Sequence, residues 1–462
     1  MKRPILFSTL CCVVFLSTSV YAQKTALAEA ADWKAGVARV VITPKQPMAM
    51  AGFASRNHPS EGTLHDLWAK ALALEDANGK KALLITTDLL GFPKDVSNHI
   101  RDRIKSKFGL DRDQVLLNSS HTHSGPVLQD ALTDIYLLDA VQLEKIKQYS
   151  LALEDQIVKL AGEALGKMEP AALYAQNGVT RFEVNRRNNP VATLTKVAEL
   201  KGPSDWAVPV IKVVNKKGEL KAIAFGYACH NTVLERYEWS GDYAGFAQIE
   251  VEKYHPGTTA MFFQGAGADQ NPLPRGTVPL AKQYGRELAA AVDRVIEEDM
   301  RKLPATLSTA YSEINLPLGA VPNKEELTQI AKTTPVAYQK RWAERMIGKI
   351  DKGEQLIRSY PYPVQVWSIG GQALVALGGE LTVEYSIITK QMFGQDAFVL
   401  GYSNDVMTYI PSCSILQEGG YEGDAARMVY GMPAKWDVTV ETRILNEVIL
   451  QAEKAGVPKI VR

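Results

Sequence analysis

Val115-Leu116-Leu117-Asn118-Ser119-Ser120-His121-Thr122-His123-Ser124-Gly125-Pro126 runs from three apolar residues into a short polar loop. The apolar start reads as a buried strand, and Gly125-Pro126 closes the loop with a break. Side chains repeat every second residue along extended chain, so His121 and His123 are expected to point the same way. They are two of only seven histidines. Loops at strand ends commonly display reactive groups, and imidazole is the commonest metal ligand and a general acid-base near neutral pH. Taken alone, a His-x-His is equally two polar residues on a surface turn.

Outward from this stretch, strands alternate with helices. Ala82 to Thr86 is an apolar run that ends in Asp88 and a Gly91-Phe92-Pro93 break. Val96, Ile100, Ile104 and Phe108 recur at helical spacing before Gly109. Lys221 to Ala228 reads as a buried strand after the Lys217-Gly218 turn, and Asp242 is expected to cap a helix through about Tyr254. Ala260 to Phe263 is the next strand, Ala281 to Glu298 a long amphipathic helix, and a last helical segment runs around Glu441 to Lys454. The alternation predicts an α/β protein, a mixed β-sheet core covered by helices in a single large catalytic domain. Sheets of this kind bind ligands beyond strand ends, so polar residues there become site candidates.

The N-terminus reads as a secretory signal over residues 1–22. Lys2 and Arg3 precede the mostly apolar Ile5 to Phe15, and Val20-Tyr21-Ala22 ends in a small residue suited to cleavage. The apolar run is shorter than the roughly 20 residues of a membrane span. The expectation is an exported protein, periplasmic or extracellular, with residues 23–462 as one hydrolase domain and no transmembrane segment after signal removal. Without Lys2 and Arg3 the chain carries 50 basic and 51 acidic residues, which gives no electrostatic footprint for nucleic acid. Cys229 and Cys413 remain, and sequence leaves open whether they pair.

Four further positions come after apolar runs. His230 closes Ala222-Ile223-Ala224-Phe225-Gly226-Tyr227-Ala228-Cys229; Gln264-Gly265-Ala266-Gly267-Ala268-Asp269-Gln270-Asn271-Pro272 has glycines that let backbone approach a ligand closely. Glu380 ends Gly378-Gly379-Glu380 after Ala373 to Leu377, and Tyr409 lies beyond Phe398-Val399-Leu400. Singly, each is as readily a packed core residue or a tight turn. Together, two imidazoles, a carboxylate and a phenolate suffice for a zinc site with room for water. Zinc makes water acidic near neutral pH and polarises a carbonyl. His123 is then free to act beside the metal.

Asn118 to Pro126 resembles the signature of the neutral/alkaline, non-lysosomal ceramidase family, and the similarity runs from about Trp33 onward. Gly36 to Pro44, Ala51-Gly52-Phe53 and Arg56 resemble the family's opening, and Asn185-Arg186-Arg187 its Asn-Arg segment. Ala228-Cys229-His230-Asn231-Thr232 with Ser240-Gly241-Asp242-Tyr243 resembles its second histidine block. Gly379-Glu380-Leu381-Thr382, Tyr409 and Tyr421-Glu422-Gly423 resemble its later metal segments. The resemblance implies Zn²⁺ on His121, His230, Glu380 and Tyr409. It places His123 and Arg186 against the scissile group or the oxyanion, with Tyr421 lining the site. It also implies hydrolysis of the amide of ceramide to a fatty acid and sphingosine.

Two departures shape the expected function. The family carries a serine where this chain has Asn271 in Ala268-Asp269-Gln270-Asn271-Pro272, so attack by metal-activated water is expected, with Asn271 as a polar contact. Ceramidases of the family also have a C-terminal β-sandwich domain, whereas this sequence ends at Arg462. The expected substrate is therefore a small-molecule or lipid-like N-acyl amide more soluble than long-chain ceramide. The alternative keeps the zinc and changes the bond to an ester, a lactone or a carbohydrate-linked group.

Overall fold

The computed structural model describes residues 33–196 and 199–460, and the expected signal segment lies outside the described residues. Val115–Ser119 is the edge strand of a large mixed sheet. Across that sheet the order is Thr259–Gln264, Leu220–Tyr227, Ala207–Asn215, Glu169–Val179, Trp33–Val41, Trp68–Glu75, Lys81–Thr87 and Val115–Ser119. Short Arg301–Leu303 pairs beside Glu169–Val179. The outermost pair at each edge is parallel, and the strands between are antiparallel. A parallel pair needs a crossover. Helix Lys94–Phe108 supplies it at one edge and helix Asp242–Tyr254 at the other.

Burial along the strands sets the layers. In Trp68–Glu75, Ala69, Ala71 and Ala73 pack with Ile100, Ile104, Leu153 and Ile157 of the helices Lys94–Phe108 and Ala140–Gly166. The alternate residues Leu72 and Leu74 pack the other way, with Trp367 and Leu374. Those belong to a second sheet, Leu307–Pro317, Ser359–Ile369, Gln372–Leu377 and Phe398–Leu400. Its far face, including Val364 and Val366, packs on Tyr385, Ile444 and Val448 of the helices Glu384–Phe393 and Val440–Lys454. The fold is thus helices, sheet, sheet, helices, and the residues from Trp33 onward form one unit. Val115-Leu116-Leu117 is an unbroken apolar run because both of its faces are covered.

The large sheet curls until its two edges meet. Asn118 on one edge strand accepts from the Gln264 N–H of the other through Oδ1 at 2.8 Å. Its Nδ2 donates to Gly401 O at 2.8 Å, just past the second sheet's edge strand. Three strand ends are tied to one buried amide, and the loops beyond them converge.

Two local expectations need correction. Asp242 does not cap its helix by side chain; it is the first helical residue, with φ of 53°, and Gly241 precedes it. Its carboxylate instead accepts from the N–H groups of Val233, Leu234 and Tyr243 and fixes the loop after His230. Nor do the glycines of Gln264–Pro272 open room for a ligand. A Cβ on Gly267 would lie 2.7 Å from the Cys229 N, so that glycine lets two backbone segments touch. Cys229 and Cys413 are both free thiols. Among the described residues no helix is long and apolar enough to cross a membrane.

Candidate metal centre

His121 enters the site just past one edge strand of the large sheet, and His230 just past Leu220–Tyr227, the strand next to the other edge. The backbone at His121 is left-handed, with φ of 59°, so the His-x-His pair is not a continuation of the strand. The two imidazoles still converge, with the His123 Nε2 3.2 Å from the His121 Nε2. His121 bonds through Nδ1 to Leu90 O at 2.6 Å, and His230 through Nδ1 to Gly267 O at 2.8 Å. A carbonyl oxygen only accepts, so each Nδ1 carries the proton and each Nε2 presents a lone pair. The Gly267 contact explains the tight turn: it brings a carbonyl under His230.

Glu380 and Tyr409 arrive together. Glu380–Leu381 pairs in parallel with Tyr409–Ile410, with Glu380 directly opposite Tyr409. The Glu380 Oε2 lies 3.2 Å from the Nε2 of both His121 and His230, and it has no hydrogen-bond partner. Its other oxygen accepts from Tyr430 OH at 2.5 Å. The Tyr409 OH sits 3.3 Å from the His230 Nε2. Burial holds the His230 ring down to about 4, with the Arg186 charge pushing the same way, so it is neutral at pH 7.

This geometry is unfavourable without a cation. Two imidazole lone pairs face one buried carboxylate oxygen, and neither ring carries a proton toward it. In a tetrahedral site with bonds of about 2.0 Å, neighbouring ligand atoms stand about 3.3 Å apart. The separations of 3.2, 3.2 and 3.3 Å match that edge. The donors therefore fit a bound metal ion. His121, His123 and His230 also offer nitrogens within 4.8 Å of one another, so His123 belongs to the same cluster.

The remaining expected residues stand around this centre. Arg186 comes directly after the strand Glu183–Asn185, which pairs with Gln270–Pro272 and so brings Arg186 beside Asn271. Its guanidinium donates to Glu422 Oε1 at 2.8 Å, Tyr409 OH at 3.2 Å and Asn271 Oδ1 at 3.3 Å. Burial opposes its charge, but Tyr409 and Glu422 outweigh burial and keep it protonated. Burial and Glu380 push the Tyr409 phenol well up, while Arg186 pulls it down. Tyr421 opens a π-helical turn, Tyr421–Ala425, and is 42% exposed at the mouth. His123, Arg186, His230, Asn271, Tyr409 and Tyr421 all line one cavity of about 560 Å³.

Several residues of the site carry no readable signal in the sequence. Tyr430, which holds Glu380, is a lone tyrosine in a short helical stretch. Arg275 lines the cavity from the loop after Asn271. Glu422 is legible only as part of Tyr421-Glu422-Gly423, and Gly52 and Phe53 only as part of the opening block; both segments line the cavity.

Residues 33–272 match the model of the family described as neutral/alkaline non-lysosomal ceramidase, N-terminal. A neutral ceramidase of Pseudomonas aeruginosa is 25% identical over 299 residues, covering 62% of this chain and 43% of that protein. Neutral ceramidase A of Dictyostelium discoideum is 27% identical over 269 residues, 54% of this chain and 37% of that one. The chain thus spans less than half the length of these relatives. The crystal structure of the Pseudomonas aeruginosa neutral ceramidase superposes with a TM-score of 0.70 at 18% identity, over 93% of this chain and 75% of that one. A structure described as ceramidase complexed with C2 gives 0.70 at 17% identity, over 93% and 76%. The ordered blocks, the shared fold and a family match over more than half of its length place this chain in the neutral/alkaline non-lysosomal ceramidase family.

Proposed function

We propose that the chain is an exported, zinc-dependent hydrolase of N-acyl amides, with residues 23–462 as its hydrolase domain. His121, His230, Glu380 and Tyr409 hold the metal, and His123, Arg186, Asn271 and Tyr421 meet the substrate. The observation that carries this reading is the convergence of proton-free donors. The Nε2 atoms of His121 and His230 face the unpartnered Glu380 Oε2, both at 3.2 Å. Zinc held there supplies Lewis acidity, polarising a carbonyl and making water acidic enough to act near neutral pH.

The protein's own groups account for the rest of the chemistry. Arg186 is fixed by three partners and aims its charge at the cavity, where negative charge develops on the carbonyl oxygen. His123 Nε2 lies 3.2 Å from the His121 Nε2, beside the metal position, and His123 lines the cavity. Burial, with His121 second, holds His123 well below its ordinary value, so it meets the substrate as a neutral imidazole. Asn271 has no hydroxyl, so water is the nucleophile at that position. The carbon–oxygen bond to water forms, the carbon–nitrogen bond breaks, and water's protons pass to the amine and the solvent.

The cavity wall supports a soluble substrate. Two long chains need an apolar groove, and among the described residues this cavity has no aliphatic side chain in its lining; Phe53, Tyr409 and Tyr421 supply its aromatic surface. The test compares kcat/KM for short-chain ceramide, long-chain ceramide in detergent and simple N-acyl amino compounds, with and without a chelator. The expected result is a preference for the simple amides, abolished by chelation and restored by zinc. Turnover that survives chelation would sink the metal reading, and a clear preference for long-chain ceramide would restore plain ceramidase.

A further inference from the structure

The cavity wall carries three arginines and two glutamates. Arg186 and Arg187 share Glu422, and Arg187 also holds Glu418. Arg275 is the surplus cation. Among the described residues its guanidinium makes one hydrogen bond, from NH1 to Thr232 O at 3.5 Å. The two acids whose charges act on it are otherwise engaged. Glu235 accepts from Ser55 Oγ at 2.6 Å, and the Asp242 carboxylate is taken by three backbone N–H groups. Among the described residues no carboxylate lies within ion-pair distance of Arg275.

Its place is fixed relative to the metal centre. Thr232 stands two residues past His230, and the Gly276 N–H bonds Val233 O at 2.7 Å, which pins the turn bearing Arg275 to that segment. Two residues span at most about 7 Å of chain. Arg186 and Arg275 line the same cavity, and burial first, then the Arg186 charge, lower the pKa of Arg275. An arginine remains charged under such shifts. Asn271, which accepts from Arg186, precedes Arg275 by four residues in the chain and lines the same cavity.

We infer that Arg275 anchors a carboxylate on the substrate, so the amide cleaved is that of an N-acyl amino acid or a similar N-acyl acid. The inference rests on the reading of this cavity as an N-acyl amide site. A guanidinium presents a planar fork that matches a carboxylate. A single surplus positive charge suits a monoanion, which favours carboxylate over a phosphate dianion. With the acyl carbonyl beside Arg186 and His123, the carboxylate on the amine side extends toward the mouth, where Arg275 stands.

The test is calorimetric binding to the zinc-loaded enzyme. The probes are an N-alkylsulfonyl amino acid, whose sulfonamide resists hydrolysis, and its neutral carboxamide. The acid should bind about tenfold more tightly or better. Arg275→Gln should bring its affinity down to that of the carboxamide, Arg275→Lys should keep part of the preference, and the carboxamide should be unmoved in both. Equal affinities in the wild type, or a preference that persists in Arg275→Gln, would overturn the assignment. Hydrolysis of the matching N-acyl amino acid is measured on the same preparation. Absent turnover with the binding preference intact counts against the amide reading alone and leaves the carboxylate anchor standing.

Discussion

Gly52 decides where the His123 ring lies. Its φ is 107°, and a Cβ there would stand 2.5 Å from two atoms of that ring, while Phe53 packs on the ring edge at 4.8 Å. Gly52→Ala therefore combines backbone strain with a clash and displaces His123 from the metal centre. The expected outcome is retained metal with kcat lowered about 10²–10³-fold, the range for losing one oxyanion donor. Steady-state kinetics beside metal analysis check it; unchanged kcat would show that the ring position is not used. His121, His230, Glu380 and Tyr409 are legible in the sequence because each comes after an apolar run, a pattern that strand ends impose. Arg275 and Tyr430 are not, because a single residue in a loop or a short helical stretch leaves no periodic trace. His121 does converge on His123 as expected, but a left-handed residue rather than strand alternation aims it.

At the scale of elements, the two crossover units are readable and their meeting is not. Helix Lys94–Phe108 obeys its apolar spacing, burying Val96, Ile100 and Ile104, and Gly109 closes it. The strands on either side are buried on both faces and show as plain apolar runs. Nothing local says that Val115–Ser119 and Thr259–Gln264, far apart in sequence and in sheet order, are joined through Asn118. The second sheet is hidden for a related reason. Leu307–Pro317 and Ser359–Ile369 pair antiparallel across two intervening helices, and sequence does not name partners at that distance. Asn118→Ala tests the junction. It leaves the Gln264 N–H buried without its acceptor, at about 1–3 kcal/mol, and takes one donor from the Gly401 carbonyl, which keeps Ser403 Oγ at 2.8 Å. Urea unfolding should show about 1–4 kcal/mol lost and weaker metal retention. A loss below about 0.5 kcal/mol, typical of surface changes, would show that the strand ends are held by other contacts.

For the whole molecule, buried His230 is one source of acid sensitivity, and His123 and His65, held low by burial, act in the same direction. His230 takes its proton at about 4 in the folded chain against 6.5 ordinarily, because of burial first and Arg186 second. Between those values the unfolded chain binds a proton that the folded chain refuses. Stability of the metal-free protein therefore rises with pH across that window and is fully present above 6.5. Acidification to the low end costs about 3 kcal/mol from this group. Thermal unfolding of chelator-treated wild type and His230→Asn at pH 7 and pH 5 separates this contribution, since the variant should lose less on acidification. An equal loss in both would assign the sensitivity elsewhere. Zinc should raise the wild-type midpoint at pH 7 and do so less at pH 5, because protons compete for the same nitrogens.

The metal content of three proteins bears most directly on the central claim, that His121, His230, Glu380 and Tyr409 hold one zinc while His123 serves the substrate. Wild type, His230→Ala and His123→Ala are purified alike, equilibrated with zinc, desalted and analysed for metal per chain, with folding checked by circular dichroism. The expected result is about one zinc per chain in wild type, almost none in His230→Ala, and about one in His123→Ala together with lost turnover. Full zinc in His230→Ala, or equal loss of zinc in both variants, would contradict it.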